Sequence, residues 1–307
     1  MLIFVFNQIK NLRSCIFIFY LQLTIHDCTQ IGSVINICRI LQLVEEQINR
    51  LQTIQNPLGH HDPTSQILND TDITLNNAQQ LTSDDTLRFC LSLLWNLTDE
   101  NNRVCECFIE SMGLQLFQRL LQLFSTDTIL LTKIVGLLSN IAEVSRLRIC
   151  LYSIDIVSLM RKFMLEAVLD IAFAATGILA HLLSEQVDDE IDWDLCQQMR
   201  DTILTWQNPH TTMVTYRSFK PFVSLLQCSR IPVVQLWALW AIHHVCSTDR
   251  VRYYRIIRDE KLFDLIENLY ENQISSSNTD SCSIQLLKSL RHLIKISSRS
   301  NSSAVAS

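Results

Sequence analysis

The sequence predicts an all-α protein made of stacked helical repeats, an α-solenoid. Only five of its 307 residues are glycine and five are proline, whereas average usage would give roughly 37 of the two together. Hydrophobic residues make up 48% of the chain. From residue 86 to residue 297 they recur at the three- and four-residue spacing of amphipathic helices. A many-stranded sheet protein would need more turn residues than this chain contains.

A sequence motif repeats along this helical region. Leu93–Glu100 (LLWNLTDE) recurs 44 residues later as Leu137–Val144 (LLSNIAEV), and three looser copies follow. Alignment of the five copies brings one polar position into register, which is occupied by Asn96, Asn140, His181, His244 and His292. A repeat in the forties with two or three helices per unit is typical of armadillo and HEAT proteins. We therefore expect an armadillo/HEAT-like α-solenoid, a right-handed superhelix whose concave groove is lined by these polar positions.

The segments outside the repeats differ from them in composition. We expect an N-terminal helical segment over 1–55, a flexible polar loop over 56–85, the armadillo-like repeat domain over 86–297 and a disordered tail over 298–307. Polar breaks are expected inside the repeat domain at 185–194 and 271–280. Lys10 and Arg13 interrupt the apolar first 25 residues. This favours a first solenoid helix, a partly disordered leader or an artefact of the gene model over a secretory signal peptide.

Charge and glycine spacing exclude several functions. The net charge of −6 opposes nucleic-acid binding, which needs a basic face. The five glycines are too widely spaced for a phosphate-binding or dinucleotide-binding loop. Five of the eleven cysteines stand singly in apolar helical stretches (Cys90, Cys150, Cys196, Cys228 and Cys246), which predicts reduced core cysteines in a cytoplasmic or nuclear protein. The sequence contains no set of metal ligands with suitable spacing, and we expect no metal, other cofactor or membrane contact.

The strongest candidate site lies in the first two copies of the motif. Asn96 is followed three residues later by Asp99, and Asn140 is followed at the same spacing by Glu143. This spacing places amide and carboxylate on one face of a helix. Trp95 adds a large flat wall. Such a set suits a compact ammonium with neighbouring peptide atoms: a free α-amino terminus, a lysine side chain or methyl-lysine. The alternative is an ordinary solvated helix face.

Other polar and aromatic residues are weaker candidates. The later repeats offer further groove residues at His181, Tyr216, Trp237 and His244. Cys246 lies near His244 in sequence, but no third group that would orient a catalytic pair can be identified. Paired carboxylates can support hydrolysis, yet an open groove excludes water poorly. We therefore expect a binding protein and not an enzyme.

Several longer motifs resemble a known family. They are LWNLTDE at 94–100, GLLSNIAEV at 136–144, GILAHL at 177–182, YRSF at 216–219 and VQLWALWA at 234–241. Together they resemble the C-terminal armadillo-like domain of the Zyg-eleven/Zer-one family over about residues 86–257. Members of that family are substrate receptors of cullin-RING ubiquitin ligases. They capture proteins with an exposed N-terminal glycine or another small N-terminal residue.

The resemblance implies roles for the candidate residues. Asp99 and Glu143 would bind the ammonium group of the ligand, and Asn96 and Asn140 would bind its first peptide units. Trp95 would limit the size of the first side chain by steric exclusion.

The chain also departs from the family pattern. Residues 1–85 contain neither leucine-rich repeats nor an adaptor box for the cullin. A fragment, an incomplete gene model or a divergent short form would explain this. The alternative function is a general armadillo scaffold that binds an internal peptide segment and has no ligase role.

Overall fold

The computed structural model describes residues 30–55, 85–152, 155–275 and 281–304, and every regular element in these ranges is helical. The α-helices are α1 (Gln30–Gln55), α2 (Asp85–Thr98), α3 (Asn102–Glu110), α4 (Gly113–Leu123), α5 (Thr128–Glu143), α6 (Arg148–Leu151), α7 (Ile156–Phe163), α8 (Leu169–Leu183), α9 (Trp193–Thr205), α10 (Lys220–Gln227), α11 (Pro232–Thr248), α12 (Arg250–Asp259), α13 (Leu262–Ser275) and α14 (Ser281–Ala304). Short 3-10 turns lie at Ser145–Leu147 and Asp188–Glu190. The predicted all-α, armadillo-like class is confirmed.

The chain forms two compact units, and the boundary lies between Asn140 and Ile141, near the end of α5. The boundary therefore divides the predicted repeat domain. In the first unit, α1 packs against α2, α3 and α4. Its apolar stripe is buried, with Val44 and Ile48 fully covered, and Arg119 of α4 donates to the side chain of Asn49 at 2.9 Å. Helix α1 is thus part of the core of this unit.

In the second unit, α8 packs against α11, and α11 packs against α14. These three helices carry the last three copies of the sequence motif. Aromatic rings meet between α8 and α11: Trp237 stacks on the ring of Phe173 with centroids 5.3 Å apart, and its Nε1 donates to the carbonyl of Phe173 at 3.2 Å. Successive motif helices are therefore neighbours in space, as the repeat alignment predicts.

Three helices begin where the sequence supplies a capping group. Asn101, Asp192 and Asp249 precede α3, α9 and α12, and each side chain accepts a hydrogen bond from a backbone N–H of the first turn. These bonds satisfy donors that a helix start leaves unpaired. Pro232 occupies the first position of α11, where the missing N–H costs nothing.

Some segments differ from the sequence expectation. Residues 271–275, predicted as part of a polar break, complete helix α13. Helix α14 continues to Ala304, into the tail predicted to be disordered. The segment has no proline or glycine that would end a helix locally. The predictions for the first 25 residues and for 56–84 lie outside the described residues.

The cysteines follow the sequence prediction where the structure describes them. All nine described cysteines are free thiols, and six of them are buried. No single helix in the described ranges is long and apolar enough to cross a membrane. One pair, Thr128–Glu143 with Ser145–Leu151, passes that test of length and composition together but is bent by 112°.

Candidate functional site

Four of the five predicted site residues belong to the first unit and lie on or beside two neighbouring helices. Trp95 and Asn96 lie in the last turn of α2, Asp99 follows that helix directly, and Asn140 lies near the end of α5. Asn96 is exposed and the other three are half-buried. The structure therefore brings the end of α2, with Trp95 and Asn96, and the equivalent asparagine of the second motif copy, Asn140, into one accessible region.

Asn140 links the two helices. Its amide nitrogen donates to the backbone carbonyl of Trp95 and to the hydroxyl of Thr98, both at 3.0 Å. The Trp95 carbonyl lies in the last turn of α2, where carbonyl groups lack a backbone partner within the helix, and it also accepts from the Thr98 hydroxyl at 2.9 Å. Because both amide hydrogens are used in this way, Asn140 can offer a ligand only its carbonyl oxygen, which accepts hydrogen bonds.

Asn96 is positioned differently from Asn140. Its amide nitrogen donates to the carbonyl of Ser92 one turn earlier, at 2.7 Å. A primary amide has two hydrogens and a carbonyl oxygen, so Asn96 keeps one donor and one acceptor for a ligand. The two asparagines hold equivalent positions in the repeat and were expected to have the same role, but their contacts differ: Asn140 anchors α2 to α5, whereas Asn96 is exposed.

Trp95 lies against Gly136, in the middle of α5. A Cβ atom at Gly136 would lie 2.5 Å from Cζ2 and 2.9 Å from Nε1 of the indole, well inside the ordinary contact distance of about 3.5–4.0 Å. The indole therefore occupies the space that any other residue at 136 would fill. Glycine at this position allows a half-buried tryptophan to pack closely against the neighbouring helix.

Asp99 sits where negative charge is electrostatically unfavourable. Helix α2 ends at Thr98, and Glu100 takes the left-handed conformation (φ 52°) that turns the chain away. A helix C-terminus carries a partial negative charge, so a carboxylate there costs roughly 0.3–1 kcal/mol. Glu143, the last residue of α5, is in the same electrostatic position. A cationic ligand would offset this cost at either helix end.

Glu143 belongs to the second unit, one turn after Asn140 on the same helix. The backbone at this helix end is held by Arg148, a buried residue that was not among the candidates predicted from the sequence. Its Nε atom donates to the carbonyl of Ala142 at 2.6 Å. A lone arginine in the apolar run 147–151 was the available sequence signal.

Three of the four further groove candidates are buried, and this corrects the sequence expectation. His181 and Trp237 are each 1% exposed and His244 is 0% exposed. They belong to the interior of the second unit, because long apolar helices bury most of their faces when neighbours stack on both sides. Burial, and to a lesser degree the nearby charge of Arg148, lower the pKa of His181 to about 3.

His244 binds a segment of its own chain that runs without helix from 206 to 219. Its Nε2 atom accepts from the backbone N–H of Met213 at 3.2 Å, and its Nδ1 atom lies 2.7 Å from the side-chain oxygen of Asn208. Tyr216, the fourth candidate, lies on this segment, half-buried, and its N–H donates to the hydroxyl of Tyr253. Asn208-Pro209 and the loss of helical periodicity were the sequence signals for this segment.

Two further observations bear on the chemistry of the chain. Within the described ranges, no group of three or more histidine, cysteine, aspartate or glutamate side chains is placed to hold a metal ion. A surface cavity of about 590 Å³ lies in the second unit, lined by residues that include Leu165, Asp201 and Trp206. None of the predicted site residues lines it.

The fold and these contacts define an armadillo-like helical-repeat protein with amide, acidic and indole side chains gathered where a motif helix ends. The chain belongs to the Zyg-eleven/Zer-one family, because the family model described as Protein zer-1 homolog-like, C-terminal domain, matches residues 12–292.

Relatives with similar sequences are longer than this chain. It is 31% identical to Zyg eleven-related protein 1 of Caenorhabditis elegans over 220 residues. That alignment covers 68% of this chain and 24% of the relative. It is 30% identical to Protein zer-1 homolog of Homo sapiens over 209 residues, an alignment that covers 64% of this chain and 27% of that protein. The chain thus spans about a quarter of the length of these relatives. A designed armadillo repeat protein in complex with the peptide (KR)4 aligns at 15% identity with a TM-score of 0.35, over 84% of this chain and 99% of its own.

Proposed function

We propose that this chain is a substrate-receptor module of a cullin-RING ubiquitin ligase that binds protein N-termini beginning with glycine or another small residue. The observation that carries the proposal is the grouping of Trp95, Asn96 and Asp99 at one helix end, tied by Asn140 to the next motif helix. Membership of the Zyg-eleven/Zer-one family supports the ligase role. The ligase contact itself is proposed from that membership alone.

The chemistry of each group supports recognition of a free amine. A protonated α-amino group has three donors and a full positive charge, and a carboxylate such as Asp99 forms strong charge-assisted hydrogen bonds with it. The amine would also relieve the unfavourable placement of that carboxylate at the end of α2. We assign the same role to Glu143, which α5 carries one turn beyond Asn140.

The amides supply contacts to the first peptide units. Asn96 can donate to a ligand carbonyl and accept from a ligand N–H, while Asn140 can only accept. An acetylated N-terminus loses its charge and two of its donors, and it would bury a methyl group and a carbonyl next to a carboxylate. The proposed site therefore discriminates against acetylation by charge and by hydrogen bonding.

Trp95 supports selection of a small first residue. Its indole is backed by Gly136, so α5 blocks movement of the ring in that direction. A side chain larger than that of a small residue would press on an indole that cannot retreat towards α5, and overpacking of this kind typically costs about 1–3 kcal/mol.

Peptide binding tests the proposal directly. We expect a fluorescein-labelled peptide that begins with glycine to bind with micromolar or tighter affinity by fluorescence anisotropy. Asp99→Asn should abolish binding, because it removes the charge while keeping the shape. Asp85→Asn, at the opposite end of the same helix, is the matched control and should bind like the unmodified protein.

The alternative function, a scaffold that binds an internal peptide segment, predicts a different result. It needs no free amine, so an acetylated peptide and the free peptide should bind alike. That outcome, or full binding by Asp99→Asn, would contradict the proposed function.

A further inference from the structure

Arg148 is a charged side chain buried in the second unit, with 4% relative exposure. Helix α5 ends at Glu143, and the chain turns through Ser145–Leu147 before Arg148 opens α6. Fully buried arginines are rare and almost always paired. The partners of this one therefore indicate what it does.

One side of the guanidinium caps the end of α5. Nε donates to the carbonyl of Ala142 at 2.6 Å, and Nη2 donates to the carbonyl of Glu143 at 3.4 Å. These are the last two carbonyls of the helix, which have no partner within it. A positive charge at this end is also favourable to the helix dipole.

The other side of the guanidinium is held by a second layer of side chains. Nη1 donates to the carboxylate of Glu185 at 2.6 Å, and Nη2 lies 3.2 Å from Nδ1 of His181. Burial keeps the pKa of His181 near 3, so the ring is neutral at physiological pH and can accept at Nδ1. Arg148 is thus fixed by contacts on both sides.

We infer that Arg148 is a positioning residue for Glu143, fixing the last turn of α5 so that this carboxylate is presented to a bound ammonium group. Two physical effects support this. The planar guanidinium of Arg148 holds the backbone from which the Glu143 side chain extends. Its positive charge also offsets the unfavourable placement of a carboxylate at a helix C-terminus. The inference rests on the proposed function, since it takes the ligand from there.

The test is calorimetry with a glycine-initiated peptide in two backgrounds. We expect Arg148→Met to raise the dissociation constant about tenfold and to leave the stoichiometry near that of the unmodified protein. In a Glu143→Gln background the same change should alter the dissociation constant less than about twofold, because the group that Arg148 positions is gone. A purely structural role would lower the stoichiometry and would act equally in both backgrounds.

Two further variants make the result decisive. Arg148→Lys keeps the charge but loses the planar guanidinium with its paired donors, so it should also weaken binding only when Glu143 is present. This variant replaces Arg148→Met if the methionine variant does not fold. Arg230→Met removes a comparable charge from an exposed ion pair with Asp188 in the same unit and should bind normally.

The outcomes separate this inference from the proposed function. If the unmodified protein does not bind the peptide, the proposed function fails and this inference with it. If the unmodified protein binds and the Arg148 variants bind equally well, or weaken binding equally in both backgrounds, only the positioning role is overturned.

Discussion

Gly136→Ala should move Trp95 without unfolding the protein. An added Cβ would lie 2.5 Å from Cζ2 of the indole, so the ring must retreat by about 1 Å or more to reach contact distance. Trp95 is half-buried, so it can shift towards solvent. Overpacking costs about 1–3 kcal/mol in a closed core, while glycine to alanine in a helix interior gains up to about 1 kcal/mol. We expect a net change in unfolding free energy within about 1 kcal/mol.

Gly177→Ala is the matched comparison, because Gly177 lies against the indole of Trp237 in the same way. There a Cβ would lie 2.9 Å from Cη2, but Trp237 is 1% exposed and stacks on Phe222. The ring has no free direction in which to move. We expect a loss of about 1–3 kcal/mol, with peptide affinity of the folded protein unchanged.

Urea unfolding and peptide anisotropy, measured on both variants, test this reasoning. Gly136→Ala should keep nearly normal stability and bind the glycine-initiated peptide more weakly. Gly177→Ala should lose stability and bind the peptide with normal affinity. If Gly136→Ala bound the peptide normally, or if it lost as much stability as Gly177→Ala, Trp95 would not be the wall that we describe.

Three other predictions concern single contacts. Because burial holds the pKa of His181 at about 3, the unfolded chain binds a proton there that the folded chain does not. Stability should be complete above pH 6.5 or so and fall by about 2 kcal/mol at pH 5, and urea unfolding of His181→Gln should show a smaller fall. Asn140→Ala removes two hydrogen bonds to the end of α2, including the one to Thr98, and should cost about 1 kcal/mol or more in the same assay; an unchanged midpoint would contradict the anchoring role. His244→Ala frees the N–H of Met213, so its amide hydrogen exchange should accelerate, and unchanged exchange would show that this contact does not hold the segment.

The helical class and the order of the motif helices were predictable from the sequence because they depend on local periodicity. The repeat of LLWNLTDE as LLSNIAEV also identified Trp95, Asn96 and Asn140, which the structure brings together. A repeat alignment finds such residues because equivalent positions of stacked helices become neighbours in space.

The separate roles of the residues at the aligned polar position were not predictable in the same way. Asn96 and Asn140 are identical in the alignment, but only Asn140 has the carbonyl of Trp95 within reach. His181 and His244 share the same alignment position and yet are buried: Nδ1 of His181 meets Arg148, and both ring nitrogens of His244 meet the segment 206–219. Such partners depend on tertiary packing, which a local pattern does not contain.

Isothermal titration calorimetry with two peptides tests the central claim most directly. The peptides share one sequence that begins with glycine, and one of them is acetylated at the N-terminus. Our account predicts that the free peptide binds with micromolar or tighter affinity and that the acetylated peptide gives no measurable heat of binding. Equal affinity for the two peptides would contradict it.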